Sequence, residues 1–457
     1  MPGKTNKIHF IAVGGAAMHN LALALHEKGY QVTGSDDEIF DPAYTRLKNY
    51  GLLPAKCGWD PDQITPDIDA VILGMHAKAD NPELKKARKL NIKIYSYPEY
   101  LFEQTKNKIR VVIAGSHGKT TITAMIIHVL KKYGRDIDFM VGSQIEGFKT
   151  MVSLSDNTET AVFEGDEYLS SSIDPRPKFL QYKPNIALIS GIAWDHINVF
   201  PTYKGYIEQF KLFSDSVRPG GKIVYFSGDN ELCKVISRTA GNIEKLPYNT
   251  PDFIIYQGKV FLKINENKKV PLQIFGEHNL QNLEGARNVC NLLGISDNDF
   301  YTSVSRFKGT AKRLQCIYDE NDLVIYLDFA HSPSKVKATV DAIRQKFPQK
   351  KLICILELHT FSSLNRKFIP LYKGSMEGAD IGGVYYSNEV LKHKNLAQLD
   401  KDFVCRAFDN KNLKALTSAV ELENFLKGLD LTESVVLLMS SGNFGGLDIK
   451  NTLTERL

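Results

Sequence analysis

A glycine-rich turn between a strand pattern and a helix pattern is the feature that most constrains this sequence. Ile109 to Ala114 is an apolar, β-branched run, Gly-Ser-His-Gly-Lys-Thr follows at 115–120, and the apolar stretch Thr121 to Leu130 has the length of a helix. In such a turn, backbone N–H groups and the helix N-terminus face a polyphosphate. Lys119 would reach the β- and γ-phosphates, and the Thr120 hydroxyl would reach Mg²⁺. The pattern predicts a site for ATP and Mg²⁺, with an ordinary βα turn as the alternative.

Strand patterns alternate with helix patterns along the whole chain, which predicts βαβ units with parallel sheets. A chain of 457 residues is too long for one hydrophobic core. The pattern breaks at a polar stretch near residue 107 and again near residue 309. We therefore expect an α/β fold with domains at 1–107, 108–309 and 310–457, the second of which carries the phosphate loop.

Composition excludes several classes of partner. The formal net charge is only +5, and no Lys/Arg block is interleaved with aromatic residues, so we expect no nucleic acid partner. No segment approaches the roughly 18 apolar residues that span a bilayer, so we expect no membrane partner. The six cysteines form no CxxC pair, as is typical of reduced thiols in a cytosol. The chain is predicted to be cytoplasmic.

Acidic and histidine side chains follow two further strand patterns. Glu164-Gly165-Asp166-Glu167 comes directly after the strand ending at Phe163, and Trp194-Asp195-His196 follows the strand Ile186 to Ile189. The carboxyl ends of parallel strands border the crevice where ligands bind. Carboxylates there could hold the cation that accompanies ATP, and His196 could be a neutral ligand. A solvated acidic loop and a polar loop histidine are the alternatives.

Amide and guanidinium groups lie further along the chain. Asn279 and Asn282 are three residues apart at a helix start, so both can face one side, although Asn279 could equally cap the helix. Arg313 opens the third unit and could contact phosphates or stabilise a domain junction. These residues extend the predicted nucleotide site beyond the phosphate loop.

The N-terminal turn has the pattern of a weakened dinucleotide fingerprint. Gly14 and Gly15 follow the first strand, but Ala12 and Ala17 replace the outer glycines of G-x-G-x-x-G. The two remaining glycines still allow the backbone to approach a pyrophosphate closely.

Taken in order, these segments resemble the Mur ligase family, which builds the peptide stem of bacterial peptidoglycan. GSHGKTT is similar to the family's GTxGKT loop, EGDE to EADE, WDH to its DH pair, GEHNLQN to G-x-HN-x-x-N, and DFAHSP at 328–333 to DYxHHP. The resemblance spans nearly the whole chain. It implies an ATP- and Mg²⁺-dependent, amide-forming ligase with an N-terminal Rossmann-like UDP-binding domain, a central P-loop ATPase-like domain and a C-terminal Rossmann-like domain that binds the amine.

The resemblance also implies roles for individual residues. The expected catalytic residues are Lys119, Glu164, His196 and Lys211, and the expected metal ligands are Thr120, Glu164 and His196. The expected nucleotide contacts are Gly115, Ser116, His117, Gly118, Lys119, Thr120, Thr121, Asn279, Asn282, Arg313, Asp328 and His331. The expected UDP-sugar contacts are Gly14, Gly15, Ala16, Met18, Ser35, Asp36, His76 and Asn81. Lys211, fifteen residues after His196, is either a carbamylated ligand of a second metal ion or a helix-surface lysine.

Within the family, GGAAM and VTGSD resemble the branch that acts on UDP-N-acetylmuramate. The stretches DPRPKFLQY at 174–182 and MSSGNFGG at 439–446 resemble the ligase that recycles L-alanyl-γ-D-glutamyl-meso-diaminopimelate. The expected partners are therefore UDP-N-acetylmuramate and this murein tripeptide, with L-alanine as the alternative amine. We expect a monomer or weak homodimer. A P-loop kinase and an inactive nucleotide-binding regulator remain as other classes.

Overall fold

The structure, a computed structural model, describes residues 6–143, 148–194 and 199–455. The described chain divides into two compact units. The first holds the described residues of 1–192 together with 206–249 and 285–300, and the second holds those of 193–205, 250–284 and 301–457. The domain limits expected near residues 107 and 309 stay predictions.

The chain begins with a parallel sheet in the order β2-β1-β3-β4. Its strands are β1 (Lys7–Ile11), β2 (Gln31–Ser35), β3 (Ala70–Leu73) and β4 (Lys93–Ser96). The helices that accompany it are α1 (Ala16–Glu27), α2 (Ala43–Asn49), α3 (Pro82–Lys89) and α4 (Tyr97–Thr105), with a short 3-10 helix at Pro61–Gln63. The two central strands, β1 and β3, are almost entirely buried, because helices cover the faces of such a sheet.

A larger sheet follows in the same unit, in the order β13-β12-β11-β5-β8-β6-β7, parallel except for the pairing of β7 with β6. Its strands are β5 (Ile109–Ala114), β6 (Asp138–Met140), β7 (Val152–Ser153), β8 (Thr160–Glu164), β11 (Ile186–Ile189), β12 (Lys222–Phe226) and β13 (Glu244–Tyr248). An antiparallel hairpin separates β8 from β11, with β9 (Leu169–Ser171) and β10 (Asp174–Pro177). The helices are α5 (Lys119–Lys132), α6 (Lys178–Gln181), α7 (Tyr203–Asp215) and α8 (Asn230–Ser237).

The second unit contains an antiparallel ribbon and a third sheet. The ribbon is formed by β14 (Phe253–Tyr256), β15 (Lys259–Lys263) and β16 (Lys269–Leu272), and α9 (Glu277–Leu292) and α10 (Asp297–Val304) follow it in the chain. The third sheet has the order β17-β18-β22-β19-β20-β21. Its strands are β17 (Gln315–Glu320), β18 (Leu323–Asp328), β19 (Lys351–Glu357), β20 (Ile381–Tyr385), β21 (Leu413–Leu416) and β22 (Ser434–Met439).

Helices of the third sheet are α11 (Pro333–Lys346), α12 (Asn388–His393), α13 (Lys401–Phe408), α14 (Ala419–Lys427) and α15 (Ile449–Thr454), with short 3-10 helices at Ile369–Tyr372 and Phe444–Gly446. The core of this region packs Ile353 and Ile355 of β19 against Val436 of β22 and Leu422 of α14, all of them fully buried.

The structure confirms the expected α/β fold. The first helix, α1, begins at Ala16 because Gly15 takes the N-cap position. The antiparallel edge strand β17 was not expected. It pairs with β18 across Asn321 and Asp322, which both adopt positive φ, as in the tight turns that favour Asn and Asp. Over the described ranges, the helices are too short or too polar to cross a membrane.

Candidate active site

The phosphate loop lies where the sequence predicts it, between β5 and α5. Gly115 has a φ of +127°, and Gly118, the N-cap of α5, has a φ of +77°. Residues with a side chain rarely adopt these backbone conformations, so glycine is required for the loop to turn. A Cβ on Gly115 would also collide with Ser190. The loop therefore approaches its neighbour more closely than any other residue type would allow.

The carboxyl end of β11 holds the loop from the side. The Ser116 N–H donates to the Gly191 carbonyl at 2.9 Å, and the Ser190 N–H donates to the Ala114 carbonyl at 3.1 Å. The Ser190 hydroxyl also donates to the His117 carbonyl. The sequence does not predict Ser190 or Gly191, because almost any residue type can form a backbone hydrogen bond and no sequence motif marks it.

The side chain of Lys119 folds back onto the phosphate loop. Its Nζ donates to the Gly115 carbonyl at 2.6 Å and to Glu167 Oε2 at 2.9 Å. Burial disfavours the charged amine, but Glu167 and Asp166 outweigh burial and raise the pKa of Lys119 above its ordinary value. The amine is therefore a fixed positive charge at the start of α5, where phosphates are expected.

Thr120 and Glu164 are brought together, as the sequence predicts for a metal site. The Thr120 hydroxyl lies 3.0 Å from both carboxylate oxygens of Glu164, and the Gly142 N–H donates to Glu164 Oε2 at 2.7 Å. Hydroxyl and carboxylate oxygens are the ligands that Mg²⁺ prefers, so these residues fit the ion. Larger clusters of metal-ligating side chains were not found in the described ranges.

The rest of the acidic segment is paired with basic residues. Asp166 accepts from Lys178 Nζ at 2.8 Å. Burial raises the pKa of Asp166, but Lys178 and Lys119 outweigh it, and the net pKa lies below the ordinary value. Glu167 pairs with Lys119 and accepts from the Tyr206 hydroxyl at 3.2 Å. The sequence pointed to this segment, but gave no signal for Tyr206.

The N-terminal turn has a different arrangement. Ala12, which stands where the fingerprint has its first glycine, adopts a φ of +69°. The Gly14 N–H donates to Asp36 Oδ2 at 2.7 Å. Burial raises the pKa of Asp36 to about 6, against the opposing effect of the Gly14 N–H. Asp36 therefore lies beside the glycine turn and is engaged with the backbone, and its contact with the UDP-sugar stays a prediction.

The other expected UDP-sugar contacts lie at the carboxyl edge of the same sheet. Ala16 and Met18 are in the first turns of α1, and His76 is exposed in the turn after β3. The Ser35 hydroxyl donates to buried Glu83, and the Asn81 side chain accepts from the Glu83 and Leu84 N–H groups as the N-cap of α3. Their roles towards a ligand stay predictions.

In the second unit, three of the motifs meet. Asp328, at the end of β18, accepts from the Leu314 and Ala330 N–H groups, each at 2.7 Å. The guanidinium carbon of Arg313 lies over the Phe329 ring, 4.9 Å from its centroid. His278 lies close enough to be affected by both charges: burial lowers its pKa, Asp328 opposes that shift, and Arg313 adds to it. The structure thus brings together the GEHNLQN, Arg313 and DFAHSP segments.

Asn279 and Asn282 are both buried, on α9. The Asn279 side chain donates to the Phe275 carbonyl at 2.9 Å, so it has a local structural role as well as its predicted one. His331 Nδ1 is 2.9 Å from the Phe329 carbonyl, and the Tyr372 hydroxyl donates to the His331 carbonyl. Nucleotide contacts by Asn279, Asn282 and His331 stay predictions.

Two expected catalytic residues remain. His196 lies outside the described residues. Lys211, on α7, forms an ion pair with Asp215 one turn further along the helix. The pairing does not test whether Lys211 is carbamylated, so that hypothesis stays a prediction.

Comparison with known families decides the assignment. Three sequence models of one family match in order: the Mur ligase family catalytic domain at residues 7–108, the Mur ligase middle domain at 113–290 and the Mur ligase glutamate ligase domain at 312–442. The chain belongs to the Mur ligase family. It is therefore an ATP- and Mg²⁺-dependent ligase that forms amide bonds, and it has the three-domain Mur ligase architecture.

Relatives of this Mur ligase include enzymes with different amine substrates. A UDP-N-acetylmuramate–L-alanine ligase of Sulfurihydrogenibium sp. is 29% identical over 100% of this chain and 98% of the relative. A murein peptide ligase structure from Psychrobacter arcticus has a TM-score of 0.67 and 23% identity, over 98% of each chain. A UDP-N-acetylmuramate–alanine ligase structure from Thermotoga maritima has a TM-score of 0.72 and 20% identity, over 98% of each chain. These solved structures establish the fold alone.

Proposed function

We propose that this Mur ligase joins UDP-N-acetylmuramate to L-alanyl-γ-D-glutamyl-meso-diaminopimelate, a step of peptidoglycan recycling in the cytoplasm. The observation that carries the choice of amine is the stretch 174–182, which resembles the recycling ligase. It folds as β10 and α6, which follow the acidic segment and β9 in the chain. Lys178 within it donates to Asp166 at 2.8 Å. A branch-specific segment thus contacts the acidic segment next to the phosphate loop.

The second stretch with this resemblance lies at the carboxyl end of β22. The Ser440 hydroxyl donates to Glu357 Oε2, and the Phe444 N–H donates to the same oxygen at 2.8 Å. Glu357 is buried at the end of the neighbouring strand β19. Ligands of parallel α/β sheets bind at this edge. The stretch 439–446 is therefore well placed to contribute to an amine-binding surface.

The proposed reaction proceeds through an acyl phosphate. The γ-phosphoryl group of ATP is transferred to the lactyl carboxylate of the UDP-sugar with release of ADP. The amine then attacks the acyl carbon and loses a proton, and phosphate leaves from the tetrahedral intermediate. Lys119 neutralises charge on the transferring phosphoryl group, and the loop N–H groups orient it. Thr120 and Glu164 would hold Mg²⁺, which when bound supplies further charge neutralisation on the phosphates. Asn282 and Arg313 are assigned to adenine and phosphate by resemblance.

L-alanine is the second candidate amine. The observation that favours it is the full-length similarity to the Sulfurihydrogenibium ligase, which is named for L-alanine. The two candidates share every step before the attack of the amine, so the phosphate loop does not distinguish them.

A competition assay tests the choice. The enzyme, MgATP and UDP-N-acetylmuramate are incubated with equal concentrations of L-alanine and the tripeptide, and products are separated by mass. We expect the tripeptide adduct to dominate. Exclusive formation of the alanine adduct would overturn the proposed amine in favour of the second candidate.

A further inference from the structure

We propose that Tyr206 and Glu167 are positioning residues that hold Lys119 and Ser116 of the phosphate loop ready for the phosphates of ATP. The proposal rests on the ATP-binding role of the loop. Neither residue belongs to the loop: Glu167 follows β8, and Tyr206 lies in the first turn of α7. Both would act through the loop rather than by touching the reacting atoms.

Hydrogen bonds join the four side chains in one chain. The Ser116 and Tyr206 hydroxyls are 2.8 Å apart, and the Tyr206 hydroxyl is 3.2 Å from Glu167 Oε1. The other oxygen of Glu167 accepts from Lys119 Nζ at 2.9 Å. The chain therefore runs from the second residue of the GSHGKT loop to the fifth and closes a ring with the loop backbone.

Charge sets the direction of these bonds. An ionised carboxylate only accepts, so the single hydroxyl proton of Tyr206 points to Glu167. Tyr206 must then accept the proton of the Ser116 hydroxyl. Each group thus has a defined orientation, and the proton of the Ser116 hydroxyl points to Tyr206.

Burial makes the arrangement rigid. Glu167 and Tyr206 are fully buried, Ser116 is 3% exposed, and the side chain of Lys119 is 13% exposed. The Tyr206 ring also packs edge-on against Phe210, one turn further along α7, with centroids 5.2 Å apart. A buried carboxylate is stable only with charged and hydrogen-bonding partners, so loss of one partner disturbs the others.

Such pre-organisation should matter for phosphates and not for the nucleoside. Lys119 and the N–H groups of the loop would contact the β- and γ-phosphates, so a loop that is already in place loses little entropy when ATP binds. The effect of the network should appear in the affinity for ATP and be absent from the affinity for AMP.

The first test is Tyr206→Phe, which keeps the ring and removes one hydroxyl. We expect the Kd for MgATP, measured by calorimetry on the full-length protein, to rise about tenfold, the change typical of one hydrogen bond to a charged group. The Kd for AMP and the KM for the UDP-sugar should not change. The matched control is Tyr386→Phe, which removes another fully buried hydroxyl, one that donates to the Leu399 carbonyl at 3.0 Å.

A second variant keeps the test decisive if Tyr206→Phe does not fold. Glu167→Gln preserves the shape of the side chain and removes the charge opposite Lys119. We expect the Kd for MgATP to rise at least tenfold, again with no change in the Kd for AMP. In the double variant Ser116→Ala/Tyr206→Phe, the losses should be less than additive, because both changes break the same chain.

Equal affinity of Tyr206→Phe and wild type for MgATP would overturn the proposal, as would an equal loss for ATP and AMP or additive losses in the double variant. Failure of the wild-type enzyme to bind MgATP would instead overturn the role of the loop itself.

Discussion

Two glycine turns in the first unit occupy equivalent places and have opposite chemistry. Gly14–Gly15 follows β1 and leads into α1, and the loop 115–120 follows β5 and leads into α5. The loop contains its own cation, Lys119, which pairs with a buried carboxylate. At the N-terminal turn the carboxylate of Asp36 itself accepts the Gly14 N–H.

The difference separates two modes of binding a phosphorylated ligand. The loop at 115–120 offers a fixed positive charge beside the helix N-terminus, which suits phosphates that change charge during transfer. At the N-terminal turn, the Gly14 N–H is already bonded to a buried acid, an arrangement that suits recognition of a ligand rather than phosphoryl transfer. We therefore propose that the loop carries out the chemistry of the enzyme and that the turn recognises the UDP-sugar.

The largest expected effect is at the loop. Lys119→Met should lower the rate of amide formation by about a thousandfold or more, because the charge that stabilises phosphoryl transfer is lost. The measurement is ADP release with all three substrates present. Lys234→Met, at an exposed lysine of α8 that pairs with Glu231, is the matched control. A variant within tenfold of wild type would break the contrast between loop and turn.

The next effect is the pH dependence at the turn. The pKa of Asp36 is raised to about 6 from its ordinary value of 3.8. Its contribution to stability is thus complete below pH 3.8 and is lost as the pH rises through about 6. As the pH is raised from 4 to 7, the free energy of unfolding of Asp36→Asn should therefore increase relative to that of wild type by up to about 3 kcal/mol.

Denaturant unfolding of the Asp36→Asn variant across that pH range measures the effect, with Glu38→Gln, at an exposed neighbour, as the control. A difference between Asp36→Asn and wild type that stays constant with pH would show that Asp36 is not held as a buried acid.

Gly14→Ala should have a smaller effect that is selective for one substrate. A Cβ at Gly14 would lie 2.9 Å from Asp36 Oδ2 and 3.3 Å from the Glu38 carbonyl, so the turn must shift. We expect the KM for UDP-N-acetylmuramate to rise about tenfold, equivalent to about 1.4 kcal/mol, with the KM for ATP unchanged. Gly382→Ala, where a Cβ meets only ordinary contacts at 3.5 Å, serves as the control. A rise in the KM for ATP instead would reverse the assignment of the two turns.

The smallest effect concerns the acidic segment. Lys178→Met removes a partly exposed ion pair with Asp166, and such pairs contribute about 0–1 kcal/mol. The KM for MgATP should rise about threefold, within that range. Lys131→Met removes an ion pair with Asp136 that has the same length of 2.8 Å but is more exposed, and it should leave the KM for MgATP unchanged. A tenfold or larger loss in Lys178→Met alone would place Lys178 among the residues that contact the nucleotide.

Much of the loop region could be predicted from the sequence because its signals are local. Apolar β5, the glycines at 115 and 118 and the helix that begins at Lys119 lie within a short stretch, and the turn requires positive φ at both glycines. The pairing of Thr120 with Glu164 followed from the rule that parallel strands end at the same edge.

The partners that hold the loop could not be predicted, because they depend on packing between distant segments. Tyr206 is 90 positions from Ser116 in the chain, and a tyrosine on an amphipathic helix is usually a core residue. Ser190 and Gly191 act partly through their backbone. Ala12 has a positive φ that its residue type does not suggest. Each of these features became visible only when the strands were placed side by side.

The most direct test of the central claim is an omission experiment on the wild-type enzyme. ADP release is followed with UDP-N-acetylmuramate, MgATP and the tripeptide, and with each one left out in turn. We predict multiple turnovers only when all three are present, with one ADP formed for each amide bond. Multiple turnovers of ADP without the amine, or a phosphorylated sugar as the final product, would contradict the account and indicate a kinase.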